Sequence, residues 1–390
     1  MMNGHPAISW PVIRWNEAGE EKSARWRSES GTPPPKRVVI ADDRMNADAA
    51  YRLACEGTAL LWRGDFQNAR QLLHAMTRRA NEKPSVRKNK KIPATPAEAF
   101  HLHRLAQSQR ARTLGLLLIP FNADHGIPLR RAPDVRQACA EAYSHETECP
   151  PYIASLRGLQ GIIGAYEWRK NGVEIPALGA RIHPHYGVFA PIRNEYIGLV
   201  NDAPLPALTT SNSSAFDIGT GTGVLAAVLA RRGIKRIVAT DQDPRALACA
   251  RENLSRLNLT AQIEVVQADL FPEGRAALIV CNPPWIPARP SSPLEHAVFD
   301  PDSRMLRGFL NGLAAHLETG GEGWLILSDL AEHLGLRTRA ELLAAIDAAG
   351  LKVLGKIDVK PHHPRVSDTS DPLHAARAAE FTSLWRLTAK

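Results

Sequence analysis

The chain has 390 residues, of which 44% are hydrophobic and 23% charged, a composition typical of a globular protein. This length exceeds one average domain and predicts two. Because the sequence contains no run of about 18 apolar residues, a membrane span is excluded, and Met1–Pro6 lacks the basic and apolar regions of a signal peptide. The formal net charge of +8 is compatible with a polyanionic partner such as RNA or a ribosome, and also with a basic surface that only maintains solubility.

The cysteines are scattered and never form a Cys-x-x-Cys pair. They are five in number: Cys55, Cys139, Cys149, Cys249 and Cys281. This pattern argues against a disulfide framework or a zinc cluster and predicts a reducing, cytoplasmic location. The pairs His183/His185 and His362/His363 have no acidic or cysteine partner at ligand spacing, so no metal is expected.

The N-terminal half is predicted to consist of an irregular arm and a helical domain. Residues 1–40 are rich in Pro, Ser, Gly and charge, and Pro33-Pro34-Pro35 cannot continue a helix or a central strand. Residues 41–176 repeat apolar side chains at helical spacing, for example over Ala49–Trp62, and predict a mainly helical substrate-recognition domain. Its basic segment 78–91 predicts an exposed loop that is either merely solvated or in contact with the phosphates of RNA or a ribosome.

The C-terminal half, residues 177–390, alternates strand-like and helix-like segments. This alternation predicts an α/β domain with a mostly parallel, Rossmann-like sheet and helices on both faces. The last two strand-like segments, Lys352–Val359 and Thr382–Leu387, have no long helix between them. They predict an antiparallel pair at one edge of the sheet.

A glycine-rich turn follows the first strand of this half. Gly219, Gly221 and Gly223 lie between a β-type run and a helix, where glycines allow a tight turn and close approach of the backbone to a ligand. Their spacing differs from the G-x-G-x-x-G of dinucleotide-binding folds. The acid at the start of the turn, Asp217, would repel a phosphate but could pair with an ammonium group.

Acids also follow the next two strands. Asp241 can accept hydrogen bonds from both hydroxyls of a ribose. Asp269 could bind the exocyclic amine of an adenine, and Leu270 could pack on the adenine face. Open α/β sheets bind ligands at the C-terminal ends of their strands, so these groups predict one nucleoside-type site.

From Tyr186 to Leu387 the sequence resembles the class I S-adenosylmethionine-dependent methyltransferases. The resemblance implies a seven-stranded sheet, mostly parallel with an antiparallel last strand, and S-adenosyl-L-methionine as the cofactor. In that family the glycine turn and its acid contact the methionine part, the second acid binds the ribose and the third binds adenine. The cofactor-binding residues implied here are Asp217, Gly219, Thr220, Gly221, Asp241, Gln242, Asp269, Leu270 and Asn282.

The fourth strand ends in Asn282-Pro283-Pro284-Trp285, which we predict to be catalytic. The side-chain oxygen of Asn282 and a backbone carbonyl near Pro283 can hold both hydrogens of an NH2 group. The prolines restrict φ, and Trp285 can stack on a planar substrate. Positioning and electrostatics would then provide most of the rate, without a strong general base. The motif resembles that of methyltransferases acting on planar nitrogens: adenine N6, guanine N2, cytosine N4 and protein glutamine N5.

The residues that follow the motif favour a protein as the methyl acceptor. Ile286-Pro287 and the acid-Pro step Asp300-Pro301 resemble the release-factor glutamine methyltransferases. Two features depart from that group: the motif aromatic is Trp and not Tyr, and Gly187–Tyr196 lacks its Pro-Arg-Pro-Glu-Thr-Glu run. Gly187-Val188-Phe189 also resembles ribosomal RNA guanine-N2 methyltransferases, a group with nucleic acid binding.

Three alternatives therefore accompany methylation of a protein glutamine. The first is methyl transfer to an RNA or DNA base, at guanine N2 or adenine N6. The second is a noncatalytic RNA- or ribosome-binding factor that uses the basic segment 78–91. The third, an oxidoreductase linked to NAD, is disfavoured by the glycine spacing. The acceptor, the oligomeric state and the role of the N-terminal half are left open by the sequence.

Overall fold

The computed structural model describes residues 10–81, 93–143, 149–207, 213–290, 293–362 and 368–390. The chain divides into two compact units. The first unit contains Met1–Lys91 and Arg104–Tyr166, and the second contains Ile92–His103 and Glu167–Lys390. Each unit has a β-sheet of its own, and each is described separately below.

The first unit has a six-stranded sheet in the order β1-β2-β6-β5-β4-β3. Its strands are β1 (Val12–Glu17), β2 (Glu20–Arg27), β3 (Arg37–Ala41), β4 (Thr58–Trp62), β5 (Leu117–Phe121) and β6 (Tyr152–Ser155). The helices in the N-terminal half of the chain are α1 (Ala47–Cys55), α2 (Phe66–Asn81), α3 (Pro96–Leu114), α4 (Arg136–Ala142) and α5 (Leu156–Asn171). The pairs β3–β4, β4–β5 and β2–β6 are parallel, whereas β1–β2 and β5–β6 are antiparallel.

The prediction of an irregular arm over residues 1–40 was wrong from Val12 onward. β1 and β2 form a hairpin whose turn residues, Ala18 and Gly19, both have positive φ. That turn geometry matches the twist of the two strands. Ile13 and Trp26 are buried in a small core, so the segment has enough apolar surface to be ordered despite its charge.

The prediction of a mainly helical domain over residues 41–176 overlooked strands: α1 to α5 lie in this range, but so do the buried strands β4, β5 and β6. The helix expected over Ala49–Trp62 ends at Cys55. Gly57, with a φ of 80°, ends the turn, and all five residues of β4 are buried. A short, continuous apolar run has the same appearance in a buried strand and in a buried helix, so spacing alone could not distinguish them. The predicted domain boundaries, after residues 40 and 176, stay predictions.

The second unit contains a seven-stranded sheet and a separate two-stranded hairpin. The hairpin consists of β7 (Val173–Ile175) and β8 (Ala180–Ile182), and the sheet of β9 (Ser214–Ile218), β10 (Arg236–Asp241), β11 (Ile263–Gln267), β12 (Ala276–Cys281), β13 (Leu317–Ser328), β14 (Leu351–Val359) and β15 (Thr382–Ala389). The α-helices are α6 (Glu195–Asp202), α7 (Val224–Arg231), α8 (Pro244–Arg256), α9 (Arg304–His316), α10 (Leu330–His333), α11 (Arg339–Ala348) and α12 (His374–Ala379). Short 3-10 helices cover Pro176–Leu178, Pro293–Ala297 and Pro301–Ser303.

The sheet order is β11-β10-β9-β12-β13-β15-β14, as the Rossmann-like prediction requires. β9, β10, β11, β12 and β13 pair in parallel, and only β15 runs against its neighbours, β13 and β14. The predictions of a seven-stranded, mostly parallel sheet and of an antiparallel last strand are therefore confirmed. Because β9, β10 and β12 are parallel neighbours, their C-terminal residues lie at one edge of the sheet.

Helices cover both faces of this sheet. On one face α6 and α7 pack with residues such as Leu278 and Trp324, and on the other α9 and α11 pack with residues such as Ile279 and Leu325. Every residue of β12 is buried. A strand buried on both faces reads as a continuous apolar run, which explains the Ala-Ala-Leu-Ile-Val-Cys sequence before the Asn-Pro-Pro-Trp motif.

One ion pair lies inside the sheet, between β13 and β15. The guanidinium of Arg386 donates two hydrogen bonds to the carboxylate of Glu322, at 2.8 and 2.6 Å. The indole N–H of buried Trp324 donates a third, at 3.1 Å. Glu322 is 6% exposed, so removal of its carboxylate would leave two donors with no partner in a poorly solvated place.

We expect Glu322→Ala to lower the free energy of unfolding by about 3 kcal/mol, because it leaves Arg386 and Trp324 without an acceptor. The control is Glu318→Ala, which removes an exposed carboxylate from the same strand. Urea unfolding followed by circular dichroism measures both variants. Equal midpoints for the two variants would show that the buried pair contributes no net stability.

Candidate active site

The glycine turn connects β9 to α7 at the C-terminal edge of the sheet. Gly219, Gly221 and Gly223 have φ values of 72°, 55° and 81°, in the left-handed region that favours glycine. At Gly223 a Cβ would be 3.3 Å from the backbone of Ala250 in α8, so close helix packing also requires glycine there. At Gly221 a Cβ would meet no atom within 4 Å, which leaves open space above the turn.

Asp217 lies beneath this turn and is 1% exposed. One of its carboxylate oxygens accepts the hydroxyl of Thr220 at 2.6 Å and the backbone N–H of Ala226 at 3.0 Å. Ala226 is in the first turn of α7, whose N–H groups have no partner within the helix. Burial raises the pKa of Asp217 to about 6, against the opposing effect of these two hydrogen bonds. Asp217 thus holds the strand, the turn and the helix together.

Asp241 ends β10 and faces the glycine turn. Its carboxylate accepts the backbone N–H of Gly221 at 3.1 Å and that of Asp243 at 3.0 Å. Burial raises the pKa of this carboxyl, although the residue keeps partial access to solvent. The adjacent Gln242 is exposed, and its carbonyl accepts the side-chain amide of Gln267 at 3.3 Å. The structure therefore brings Asp241 and the glycine turn together, as the sequence predicts.

Asp269 follows β11 and is an exposed residue. Its carboxylate pairs at 2.7 Å with Arg304, the first residue of α9, whose side chain is also exposed. Sequence reasoning missed Arg304, because an arginine at a helix start carries no pattern that relates it to an acid 35 positions earlier. A solvent-exposed pair of this kind contributes little stability, so Asp269 can exchange Arg304 for another donor at small cost.

Leu270 has a φ of 78°, which is unusual for a residue with a branched side chain. The hydroxyl of Thr240, a fully buried residue of β10, donates to the Leu270 carbonyl at 2.6 Å. The Leu270 side chain lies against Gly308 of α9, where a Cβ would collide with it. These contacts maintain a strained backbone next to Asp269, as is common at binding sites. Thr240 and Gly308 were not predicted, since neither belongs to a motif.

Asn282 follows β12 at the same edge of the sheet. Its side-chain oxygen accepts the indole N–H of Trp285 at 2.9 Å. Trp285 is half-buried and packs against the apolar cores on both faces of the sheet. The prediction gave Trp285 only a stacking role, whereas the structure adds a hydrogen bond that orients the Asn282 amide. Pro283 is buried beneath this loop, and Pro284 is half-buried.

Arg193 lies beside Trp285, with its guanidinium carbon 5.8 Å from the indole ring centre. It donates to Glu195 at 3.1 Å and to Glu380 at 3.3 Å. Glu380 is 1% exposed and also accepts the hydroxyl of Ser328, at 2.7 Å. This network links the segment before α6 to the loop of the Asn-Pro-Pro-Trp motif. Glu380 was missed because its partners are 187 and 52 positions away.

Asp300, noted in the sequence as part of an acid-Pro step, has a capping role. Its buried carboxylate accepts the backbone N–H groups of Met305, at 3.1 and 2.9 Å, and Leu306, at 3.2 Å, in the first turn of α9. Its own N–H donates to the carbonyl of Ile286 at 2.9 Å. Burial raises the pKa of Asp300, and the hydrogen bonds from α9 oppose this effect. Asp300 thereby connects the loop that follows Asn282 to the helix that carries Arg304.

Asn253 of α8 connects the glycine turn to the histidine segment. Its side-chain oxygen accepts the backbone N–H of His183 at 2.8 Å, and its amide donates to the carbonyls of Thr222, at 3.1 Å, and His183, at 3.2 Å. His185 pairs at 2.7 Å with Glu252, the neighbouring residue of α8. Both histidines therefore have structural partners along α8.

Two further sequence expectations concern a metal and the basic segment. Within the described ranges, no group of three or more His, Cys, Asp and Glu side chains could hold a metal ion. Residues 78–81 of the basic segment 78–91 end α2, and residues 82–91 lie outside the described residues, as does His363. None of the helices in the described part of the chain is both long enough and apolar enough to cross a membrane.

Comparison with known proteins identifies the class. Residues 181–339 match the family model of the methyltransferase small domain. The chain is 30% identical over 166 residues to a candidate protein N5-glutamine methyltransferase of Methanocaldococcus jannaschii, and this match covers 40% of the chain and 80% of that protein. The site and these matches define an S-adenosylmethionine-dependent methyltransferase. The chain belongs to the family of the methyltransferase small domain.

Two other relatives match over smaller parts of their length. The release factor glutamine methyltransferase of Cereibacter sphaeroides is 34% identical over 167 residues, which are 39% of this chain and 58% of that protein. The ribosomal protein L11 methyltransferase of Pelotomaculum thermopropionicum is 45% identical over 71 residues, 18% of this chain and 23% of that protein. These matches identify an enzyme class, which disfavours the noncatalytic factor and the oxidoreductase.

The residues present fit S-adenosylmethionine, the cofactor of this class. The space above Gly221 is open, and it adjoins the carboxylate of Asp241, which accepts the backbone N–H groups of Gly221 and Asp243. Asp269 is exposed to solvent and follows β11, which is separated from β9 by β10 in the sheet. Asp241 and Asp269, at the carboxyl ends of neighbouring strands, present acceptors for hydroxyl and amine donors.

We expect Asp217→Asn to change how stability depends on pH. The folded-state pKa of about 6 lies above the ordinary value of 3.8, so the stability contributed by the carboxyl is fully present below about pH 4 and is lost as pH rises through about 6. Asparagine does not titrate and keeps an oxygen for Thr220 and Ala226. Relative to wild type, the variant should gain about 3 kcal/mol between about pH 4 and about pH 7. Urea unfolding without cofactor measures this, and parallel pH profiles would contradict it.

Proposed function

We propose that this methyltransferase transfers a methyl group to the side-chain amide nitrogen of a glutamine in a protein. The observation that carries the proposal is the Asn282 amide at the end of β12, held in one orientation by Trp285. It lies at the same sheet edge as the glycine turn and Asp241. This arrangement supports binding of an NH2 group by Asn282 next to the proposed cofactor site.

In this proposal the glycine turn and Asp217 lie next to the methionine part of the cofactor, Asp241 binds the ribose, and Asp269 with Leu270 binds the adenine. Thr220 and Gln242 complete this site. Bound S-adenosylmethionine supplies a methyl group attached to a positively charged sulfur. To bind adenine, Asp269 would exchange its exposed partner Arg304 for the exocyclic amine.

The acceptor nitrogen of an amide is a weak nucleophile, because its lone pair is delocalised into the carbonyl group. Asn282 and the backbone carbonyl at Pro283 can accept its two hydrogens, which favours a pyramidal nitrogen with its lone pair directed at the methyl group. The prolines restrict the direction of that carbonyl. Once methylated, the nitrogen is acidic and releases a proton to water, so positioning and electrostatics account for most of the rate.

Trp285 supports this geometry through its indole N–H. A side-chain amide presents an acceptor oxygen on one side and a donor NH2 on the other. If the Asn282 amide turned over, its NH2 would face the indole N–H and the substrate NH2, and two donors would oppose each other. The hydrogen bond at 2.9 Å therefore keeps the acceptor oxygen directed at the site, and the second lone pair of that oxygen is available to the substrate.

Two observations support a protein acceptor. The names of two relatives include glutamine methylation, and the acid-Pro step is represented here by Asp300, which connects the catalytic loop to α9. An RNA or DNA base remains the alternative, and the net charge of +8 favours it. We further propose that the first unit recognises the acceptor. The free state of all five cysteines supports a cytoplasmic location for the reaction.

The acceptor is tested by transfer of a tritiated methyl group from S-adenosylmethionine into an extract of cells that lack this enzyme. Label that survives RNase and is lost with protease, and that mass spectrometry locates on a glutamine, is the expected result. Label that RNase removes would replace the protein acceptor with an RNA base. The Asn282→Ala enzyme serves as the inactive control.

Asn282→Ala and Asp241→Ala should separate chemistry from cofactor binding. We expect Asn282→Ala to lower kcat by about a hundredfold or more, because it removes an acceptor that positions the nitrogen. Its affinity for S-adenosylmethionine should stay close to that of wild type. Asp241→Ala should instead weaken cofactor binding by about tenfold or more, through loss of a charged hydrogen-bond acceptor. Isothermal titration and initial rates measure both quantities, and wild-type turnover by Asn282→Ala would refute the proposed role of Asn282.

Trp285→Phe should lower kcat by about tenfold, because it keeps an aromatic ring and removes the indole N–H that orients Asn282. Cofactor affinity should not change. The matched variant is Arg193→Lys, which keeps a cation beside the ring and leaves the indole hydrogen bond intact. If Trp285→Phe affected only the KM for the acceptor, stacking would be the role of Trp285 and the positioning role would be wrong.

A further inference from the structure

A cleft of about 760 Å³ lies between α6 and the C-terminal end of β14. Ile197 and Leu199 of α6 and Ile357 and Val359 of β14 contribute its apolar walls. Ile192, just before α6, also lines it and is 53% exposed, which is unusual for an isoleucine. These residues all belong to the second unit. The cleft is not part of the cofactor site or of the Asn-Pro-Pro-Trp loop described above.

The cleft is continuous with the catalytic loop through Arg193. Arg193 lines the cleft and also lies 5.8 Å from the Trp285 ring. β14 and β12 both run parallel to β13, since β15 opposes β13 and β14 alike. Val359, at the end of β14, is therefore at the same sheet edge as Asn282 at the end of β12. Three strand spacings separate β12 from β14, a distance of about 14 Å.

β14 is an edge strand. Within the ranges that the structure describes, it pairs with β15 on one side and with no strand on the other. Backbone N–H and C=O groups on a free edge can pair with an extended peptide, and neighbouring pockets then select its side chains. The Ile357 and Val359 side chains, which lie on the same face of the strand, give the cleft such an apolar wall.

We propose that this cleft binds an extended segment of the protein that carries the acceptor glutamine. This rests on the proposed function, because it assumes a protein acceptor at Asn282. An extended chain advances about 3.4 Å per residue, so at least about four residues are needed to span the distance between β14 and Asn282. The residue that enters the cleft is apolar, because Ile192, Ile357 and Val359 surround it.

The charges around the cleft favour a peptide over a nucleic acid. Glu195, Asp202 and Asp358 are among the lining residues, against Arg193 and His362. Arg193 is already paired with Glu195. Because three carboxylates and one guanidinium line the cleft, a phosphate backbone would meet a net negative charge and an apolar wall, whereas phosphate binding requires positive charge. A basic or neutral peptide meets no such repulsion.

The test is Ile192→Asp in the tritiated-methyl assay with extract of cells that lack the enzyme. The rate of labelling in dilute extract should fall about tenfold, because one apolar contact of this size is lost, and concentrated extract should restore it. S-adenosylmethionine affinity should equal that of wild type, and Ile192→Leu should retain the wild-type rate. The matched control is Leu343→Asp, which places the same charge at another exposed apolar residue, on α11.

The outcomes separate the two proposals. Protein label that falls with Ile192→Asp but not with Leu343→Asp supports the cleft as the docking site. Protein label that is equal for wild type and Ile192→Asp at every dilution overturns the docking site and leaves glutamine methylation in place. Label in RNA, or no label in protein, overturns both the acceptor and the occupant of the cleft.

Discussion

The buried carboxylate of Asp217 is the interaction on which the second unit's site depends. It accepts the hydroxyl of Thr220 and the N–H of Ala226, so one charged group joins the end of β9, the glycine turn and the start of α7. The position is unfavourable for a charge, as the raised pKa of about 6 shows. The two hydrogen bonds of Asp217 fix the geometry of the turn relative to β9 and α7. Because Asp217 fixes the turn, the backbone N–H of Gly221 can donate to the carboxylate of Asp241. The space above Gly221 is open.

The cofactor side and the acceptor side are connected by two buried polar groups. Asn253 joins the glycine turn at Thr222 to the segment at His183, which leads to Arg193 before α6. Asp300 joins the loop after Asn282 to α9, and α9 begins at Arg304, the partner of Asp269. A displacement of α9 would therefore affect both Asp269 and the loop that follows Asn282. Coupling through such contacts is a physical reason for the two substrates to be positioned together.

The sequence predicted the second unit well, because its signals are local. The glycines of the turn need left-handed backbone, and the acid after each strand lies where parallel strands end. The run over β12 is apolar at every position because the strand is buried on both faces. In the first unit the same kind of run, at β4, was predicted as helix. There the flanking Gly57 was the only local signal, and the parallel neighbours that make it a strand are remote in sequence.

The contacts that could not be predicted from the sequence are those that depend on loop geometry. The amide of Asn282 was expected to face a substrate, but no pattern showed that Trp285 would bind its oxygen. Likewise, Glu380 belongs to no sequence motif. Ser328 and Arg193, which are distant from it in the chain, both donate hydrogen bonds to its carboxylate. Residues of this kind are absent from motif-based site predictions, although contacts such as the Trp285–Asn282 hydrogen bond determine how the side chains of the motif are oriented.

The same convergence explains why a tryptophan is suited to the motif in this chain. Its ring packs against the cores on both faces of the sheet, its N–H orients Asn282, and its ring centre lies 5.8 Å from the guanidinium carbon of Arg193. Arg193 is held by Glu195 and by the buried Glu380, and it is also part of the cleft wall. A phenol in place of the indole would present its polar group at the end of the ring and could not replace all three contacts. Arg193 thus belongs both to the surroundings of the Asn-Pro-Pro-Trp loop and to the cleft wall, so a segment bound beside Arg193 would contact a neighbour of Trp285, the residue that orients the Asn282 amide.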